Sequence, residues 1–270
     1  MANTIKNTFK RIALVAGLAG LLTCSDVNAQ SVYTGLRGPT DVQLDNRTSY
    51  TEKESQKGVA TRATGNNFIL KYWNGKEQGV FGFANIPYKN LKSAEKSSEG
   101  LGDIALGIGP RFDVKIGNGK LGVLSYIGPV LPTGNKNSTL ALGTGRVDGK
   151  AGLFGTWLSD SKESEVDFSL DYTKTENGKV SDDVTGGIVL GGQVTPNLRF
   201  VAGPLFSYKQ DGANNGDYTL GWRGNFRYTP SGNLGKRLHF EVWYDQQLTG
   251  QGASAPAHVH TATFVTRLNF

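Results

Sequence analysis

Between Leu101 and Ile116 the chain sorts its residues by every second position. Ile104, Leu106, Ile108, Pro110, Phe112, Val114 and Ile116 make one set; Asp103, Ala105, Gly107, Gly109, Arg111, Asp113 and Lys115 make the other. Side chains alternate between two faces with period two only in a β-strand. One face is then wholly apolar, and the other carries charges among small residues. Strands of soluble sheets usually run about 5–6 residues, whereas a strand crossing a bilayer in a barrel needs about 9–11, with lipid on one side and a polar lumen on the other. The pattern predicts a transmembrane barrel strand.

Similar sorting recurs. Val166, Phe168, Leu170 and Tyr172 alternate with Glu165, Asp167, Ser169 and Asp171. Tyr218, Leu220, Trp222, Phe226 and Tyr228 separate from Thr219, Arg223, Asn225 and Arg227, and Leu238, Phe240, Val242 and Tyr244 from Arg237, His239, Glu241 and Asp245. Residues 79–88 and 120–131 do not sort cleanly. Eleven segments read as strands: 66–73, 79–88, 101–116, 120–131, 147–158, 164–174, 184–194, 197–209, 217–229, 237–248 and 258–270.

The connections at 74–78, 117–119, 159–163, 195–196 and 230–236 are short and rich in Asn, Gly, Pro, Ser and Asp, as tight turns require. Those at 89–100, 132–146, 175–183, 210–216 and 249–257 are generally longer and polar. Short and long alternate, as periplasmic turns and external loops do in a membrane barrel. Parity then calls for a twelfth strand within Asp41–Tyr50, followed by an outer loop at 51–65. The expectation is an all-β, up-and-down antiparallel barrel of twelve strands, with ten as the fallback. No linker or long repeat divides residues 30–270, which read as a single barrel domain; the Ser/Lys/Glu-rich run at 89–99 reads as a loop.

Composition agrees: 37 glycines, 9 prolines, 10 tyrosines, 13 phenylalanines and 4 tryptophans favour strands, turns and aromatic girdles over helices. An apolar content of 37% is low for a globular core, but a barrel with a wet interior needs only half of each strand to be apolar. Lys6, Lys10 and Arg11, an apolar run from Ile12 to Leu22, and Val27-Asn28-Ala29 read as a secretory signal cleaved after Ala29. Cys24, the only cysteine, would leave with it, although Leu21-Leu22-Thr23-Cys24 also admits a lipoprotein reading. Cleavage lowers the formal charge from +6 to +4, spread thinly without a Lys/Arg block, so nucleic acid is not an expected partner. Outer-membrane lipids and lipopolysaccharide are. The expected location is the outer membrane of a Gram-negative bacterium.

Phe264, Leu268 and the terminal Phe270 share one face, in a pattern that resembles the C-terminal signature of bacterial outer-membrane barrels. That resemblance implies recognition by the barrel-assembly machinery through the Phe270 strand. Gly100-Leu-Gly-Asp-Ile-Ala-Leu-Gly, then Arg111-Phe112, then Gly128-Pro-Val-Leu-Pro-Thr-Gly134 resembles the transporter-like outer-membrane barrel family named for the meta-pathway of phenol degradation. The resemblance is concentrated in 100–134. It implies a barrel of about this size that passes small, often aromatic, molecules; it supplies no catalytic residues.

Other chemistry is thinly supported. Gly117-Asn-Gly-Lys-Leu-Gly122 matches a dinucleotide fingerprint but sits in a predicted hairpin turn, without the helix N-terminus that would meet a pyrophosphate. His258 and His260 share a strand face, a weak metal pair beside the reading of rim histidines. His239, Glu241 and Asp245 share an inner face and with a serine would make a hydrolase triad, yet no serine motif accompanies them. No enzyme activity, metal or cofactor is expected. The collective pattern is stronger: Asp103, Arg111, Asp148, Lys150, Glu165, Asp167, Asp171, Arg199, Arg223, Arg227, Glu241, Asp245 and Arg267 all fall on predicted inner faces. Such charges either interlock as a network filling the lumen or line a selective pathway. Trp243, between Glu241 and Asp245, joins them, to plug the lumen or to stack on a passing aromatic solute. Tyr72, Trp73, Trp157, Tyr172, Trp222, Tyr228 and Tyr244 read mostly as girdle residues. The functional expectation is a channel passing small, aromatic or apolar, molecules by passive diffusion through a narrow charged lumen. The alternatives are a structural or adhesive barrel with a closed lumen, and an outer-membrane lipid-modifying enzyme.

Overall fold

In a computed structural model, residues 42–54, 60–74, 78–93, 96–174, 182–210, 216–251 and 258–270 are described. The signal and lipoprotein readings therefore lie outside the described residues. Thirteen strands follow one another: β1 (Val42–Glu54), β2 (Ala60–Trp73), β3 (Gln78–Ser93), β4 (Lys96–Leu101), β5 (Ile104–Ile116), β6 (Gly119–Leu131), β7 (Asp148–Ser159), β8 (Ser164–Lys174), β9 (Asp182–Thr195), β10 (Leu198–Gln210), β11 (Asp217–Tyr228), β12 (Leu238–Gln251) and β13 (His258–Asn269). A short helix, α1 (Gly232–Arg237), joins β11 to β12. Each strand pairs antiparallel with its chain neighbours, except that β4 and β5 both pair with β3 and not with each other; β1 pairs with both β2 and β13, so the sheet closes on itself. Closure pairs both edges of the wall strands and leaves only the short β4 with a partner on one side; a closed wall is the condition for a sheet to stand in lipid.

Twelve strands form the wall. β4 is the extra one: it pairs with the upper half of β3 (Tyr88–Ser93), whereas β5 pairs with the lower half (Gln78–Asn85). β4 and β5 are thus one strand broken at Gly102-Asp103. The run at 89–99 is mostly strand and not a loop, because β3 and β4 stay paired from Tyr88↔Leu101 to Ser93↔Lys96. β1 occupies the position demanded by parity, but it runs on to Glu54 and β2 begins at Ala60, so most of the loop expected at 51–65 is strand.

Burial alternates as the sorting requires. Leu124 and Phe154 are 0% exposed while Ile108 and Ile127 are 61% and 68% exposed, which fixes the inner and outer faces of β5 to β7. Exposed tyrosines mark both ends of the outer face: Tyr72 and Tyr228 near the tight turns, and Tyr50, Tyr88, Tyr208, Tyr218 and Tyr244 toward the long connections. Gly117 turns between β5 and β6 with φ +59°, a backbone state that a side chain would strain. The dinucleotide-like glycines therefore lie in a hairpin. No described helix is long and apolar enough to cross a membrane.

Candidate functional site

The inward side chains divide the lumen into two walls. Around β8, β11 to β13 and β1, with Lys71 of β2, they are largely charged and hydrogen-bonded to one another. Asp45 sits at the centre, fully buried. Arg267 donates to it through Nε (3.0 Å) and Nη2 (3.3 Å), Lys71 through Nζ (2.7 Å) and Arg47 through Nη2 (2.7 Å). Arg267 also donates from Nη1 to Glu241 Oε1 (2.5 Å). Arg227 bridges away from Glu241 to β8, donating to Glu165 and, at 2.7 Å, to Asp167; Arg199 donates to Glu165 Oε2 (2.9 Å). Gln43 donates to Asn269 across the closing seam. Paired in this way, buried charges are tolerable; stripped of a partner, each would cost several kcal/mol.

Trp243 stands in the middle of this wall, 1% exposed. Its Nε1 donates to Glu241 (2.8 Å), and the guanidiniums of Arg47 and Arg223 lie 5.5 and 4.7 Å from its ring centre. Arg223 is held in turn by two hydrogen bonds to Asp245 (2.6 and 2.7 Å). With two arginines over the indole, the ring is built into the wall, an arrangement that favours filling the lumen over stacking a solute.

The second wall, on β2 to β7, is mainly apolar, although Lys71, Arg111, Asp113, Asp148 and Lys150 also stand at inward positions of its strands. Ile69, Trp73, Phe81, Phe83, Ala105, Leu124, Tyr126 and Phe154 form one buried inward cluster. Phe83 meets Tyr126 edge-on at 4.8 Å between ring centres, and Tyr126 stacks on Phe154 at 5.7 Å. Gly107 makes room for them: a Cβ there would come within 2.2 Å of the Phe83 ring. The interior is therefore not uniformly polar, and this explains why 79–88 and 120–131 fail to sort: over those residues both faces of β3 and β6 are largely apolar. Trp73 belongs here, 3% exposed and beneath the Arg111 guanidinium (5.5 Å), and is not a girdle residue. Tyr126 Oη donates to Asp171 Oδ1 (2.5 Å) and joins the two walls.

Above the apolar wall, residues 132–147 fold inward. Leu140 and Leu142 are 0% and 3% exposed and pack on Leu91 and Ala63, which occupy inward positions of β3 and β2. Asp103, in the break between β4 and β5, holds this segment: its carboxylate accepts from Gly134 N (2.9 Å), Thr144 N (2.6 Å) and Thr144 Oγ1 (3.0 Å). Asp103 is a loop anchor, not a residue on a strand face. A groove of about 460 Å³ separates the segment from β4, lined by Ser97, Ser98, Glu99, Thr133, Asn135 and Leu142 among others.

The remaining expected residues are quickly placed. Arg111 pairs with Asp113 (3.3 Å), Asp148 accepts from Arg146 (2.8 Å), and Lys150 lies at an inward position of β7. Glu241 and Asp245 are bound to arginines, and His239 Nδ1 is 3.0 Å from Thr229 Oγ1, so the three do not assemble a triad. His260 faces outward beside the Tyr244 hydroxyl (2.7 Å), and the side chain of His258 lies outside the described residues. No metal-binding cluster occurs among the described residues. Asp45, Arg47 and Lys71 were not anticipated. Asp45 and Arg47 lie two apart on one face, a readable signal, but Asn46 and Thr48 on the other face hide the alternation.

No family model and no curated protein matches the chain, so the resemblance to the meta-pathway family rests on its motifs alone. Solved structures do match. An outer-membrane channel from Pseudomonas putida F1 aligns with TM-score 0.63 at 15% identity, covering 85% of this chain and 96% of the other. The translocator domain of the autotransporter NalP from Neisseria meningitidis aligns with TM-score 0.53 at 12% identity over 94% and 96%. The NanC porin aligns with TM-score 0.51 at 9% identity over 84% and 100%. The chain has the fold of outer-membrane barrels. At these identities, a channel and an autotransporter translocator alike support the fold and no particular cargo.

Proposed function

We propose that the chain is an outer-membrane channel, passing small, aromatic or apolar, molecules by passive diffusion along the apolar wall of its lumen. The observation that carries this reading is the division of the interior. A lumen built only for rigidity needs no continuous inward array of aromatic rings facing a wall of paired charges. Apolar and aromatic lining with a few convergent polar groups is the usual chemistry of small-molecule sites. The channel relative from Pseudomonas putida F1 adds support through shared architecture. The charged wall would set selectivity at the constriction around Trp243.

A second reading is favoured by one specific observation. Arg47, Lys71, Phe81, Phe154, Trp243 and Leu140 are all at most 1% exposed, so the lumen is filled at several levels. A structural barrel with a closed lumen has that property too. Purified protein in a planar bilayer, with uptake of an uncharged monoaromatic solute into proteoliposomes, separates them. Discrete conductance and uptake are expected; a silent bilayer together with no uptake above protein-free vesicles overturns the channel.

A further inference from the structure

On β8 to β12, the outward positions between the two tyrosine rows are held by Val, Leu, Ile, Phe, Ala, Pro, Gly, Trp and Tyr. The pattern fails most densely where the first and last strands meet; elsewhere Ser125 on β6 and Gln246 on β12, the latter bonded to Trp222, stand singly. Asn46 and Thr48 of β1, Asn66 of β2 and Thr266 of β13 all face outward. Register places Asn46 beside Thr266, and Thr48 beside Asn66, so the four form one contiguous patch. Asn46 lies about 13 Å along the strand from both Val42 and Tyr50, which puts the patch near mid-height. Leu44, Phe68, Leu70 and Phe264 surround it.

Thr48 Oγ1 donates to Asn66 Oδ1 (2.8 Å). The exposed amide of Asn46 has no hydrogen-bond partner among the described residues. In the hydrocarbon layer no water reaches such a group, and polar side chains at that depth are normally satisfied by another protein surface. We propose that this patch is where two copies of the chain meet, an inference that rests on the barrel spanning the outer membrane. A two-fold axis along the membrane normal keeps every residue at its own depth, so the patch of one copy faces the same patch of the other. Carboxamides and hydroxyls each carry donor and acceptor, so like groups satisfy like. The patch holds no charge, and so asks for no oppositely charged partner.

Cysteine cross-linking in isolated outer membranes tests this, with the parent chain run alongside. N46C should give an oxidation-dependent dimer, whereas L170C, at an outward position of β8 on the opposite side of the barrel, should not. Native mass spectrometry of the N46L/T48V double variant should then show the dimer fraction reduced at least tenfold, with heat-modifiable migration of the barrel unchanged. Equal cross-linking at both positions, or at neither, overturns the proposal. Fractionation distinguishes the deeper failure: a chain recovered outside the outer membrane removes the channel reading, while an inserted barrel that stays monomeric removes only the dimer.

Discussion

The two walls of the lumen are stabilised by opposite physics, although they are parts of one sheet. The wall from β2 to β7 is held by contact: ring on ring, with Gly107 cut back to admit Phe83. The wall from β8 to β13 and β1 is held by direction, through guanidiniums fanned between carboxylates from different strands. Contact is forgiving, because a smaller apolar residue loses area but strands no charge. Pairing is not, because removing one shared carboxylate takes a counter-ion from several cations in a place that water reaches poorly. The walls should therefore fail differently when cut.

The largest effect is expected at Asp45. D45A removes the shared partner of Arg47, Lys71 and Arg267 and should cost at least ~3–5 kcal/mol, read as a lower urea midpoint of the folded barrel. Loss of less than the apolar-wall variants would contradict the contrast. F154A, on the other wall, should cost up to about 3–5 kcal/mol, and less if the neighbouring rings relax into the space. G107V tests the apolar wall by overfilling it: its Cβ meets Phe83, and about 1–3 kcal/mol should be lost, with recovery in a G107V/F83L pair. W243A should raise single-channel conductance with a modest change in stability, since Arg223 keeps Asp245. Unchanged conductance would place the constriction elsewhere. R62A, whose side chain meets Glu52 in solvent, should leave both stability and conductance unchanged.

Alternation revealed the strands only where their two faces differ. β5, β8, β11 and β12 place apolar residues toward lipid and polar ones inside, and their registers follow from the sequence. β3 and β6 hide because Phe81, Phe83, Leu124 and Tyr126 make their inner faces apolar as well. β1 hides for the converse reason, with Asn46 and Thr48 making its outer face polar. The β3–β4 pair reads as a loop in sequence because its upper part carries mixed polar residues on both faces. Charged inward residues such as Glu165 and Arg227 were legible as a face. Their pairing was not, because partners such as Asp45 and Arg267 are 222 residues apart and meet only on closure.

That last pair has a consequence for how a finished barrel differs from an unfinished one. Asp45 belongs to the first strand and Arg267 to the last, so this ion pair forms only when β1 and β13 zip together, although Asp45 already meets Arg47 and Lys71 on β1 and β2, and Arg267 meets Glu241 on β12. An open intermediate shows raw backbone along both margins and, a few ångströms inward, an ion pair still divided between them. Sealing cancels both at once. A slipped register at that junction would join the backbone yet leave the charges misaligned, so the fold discriminates against an error that main-chain bonding alone would accept.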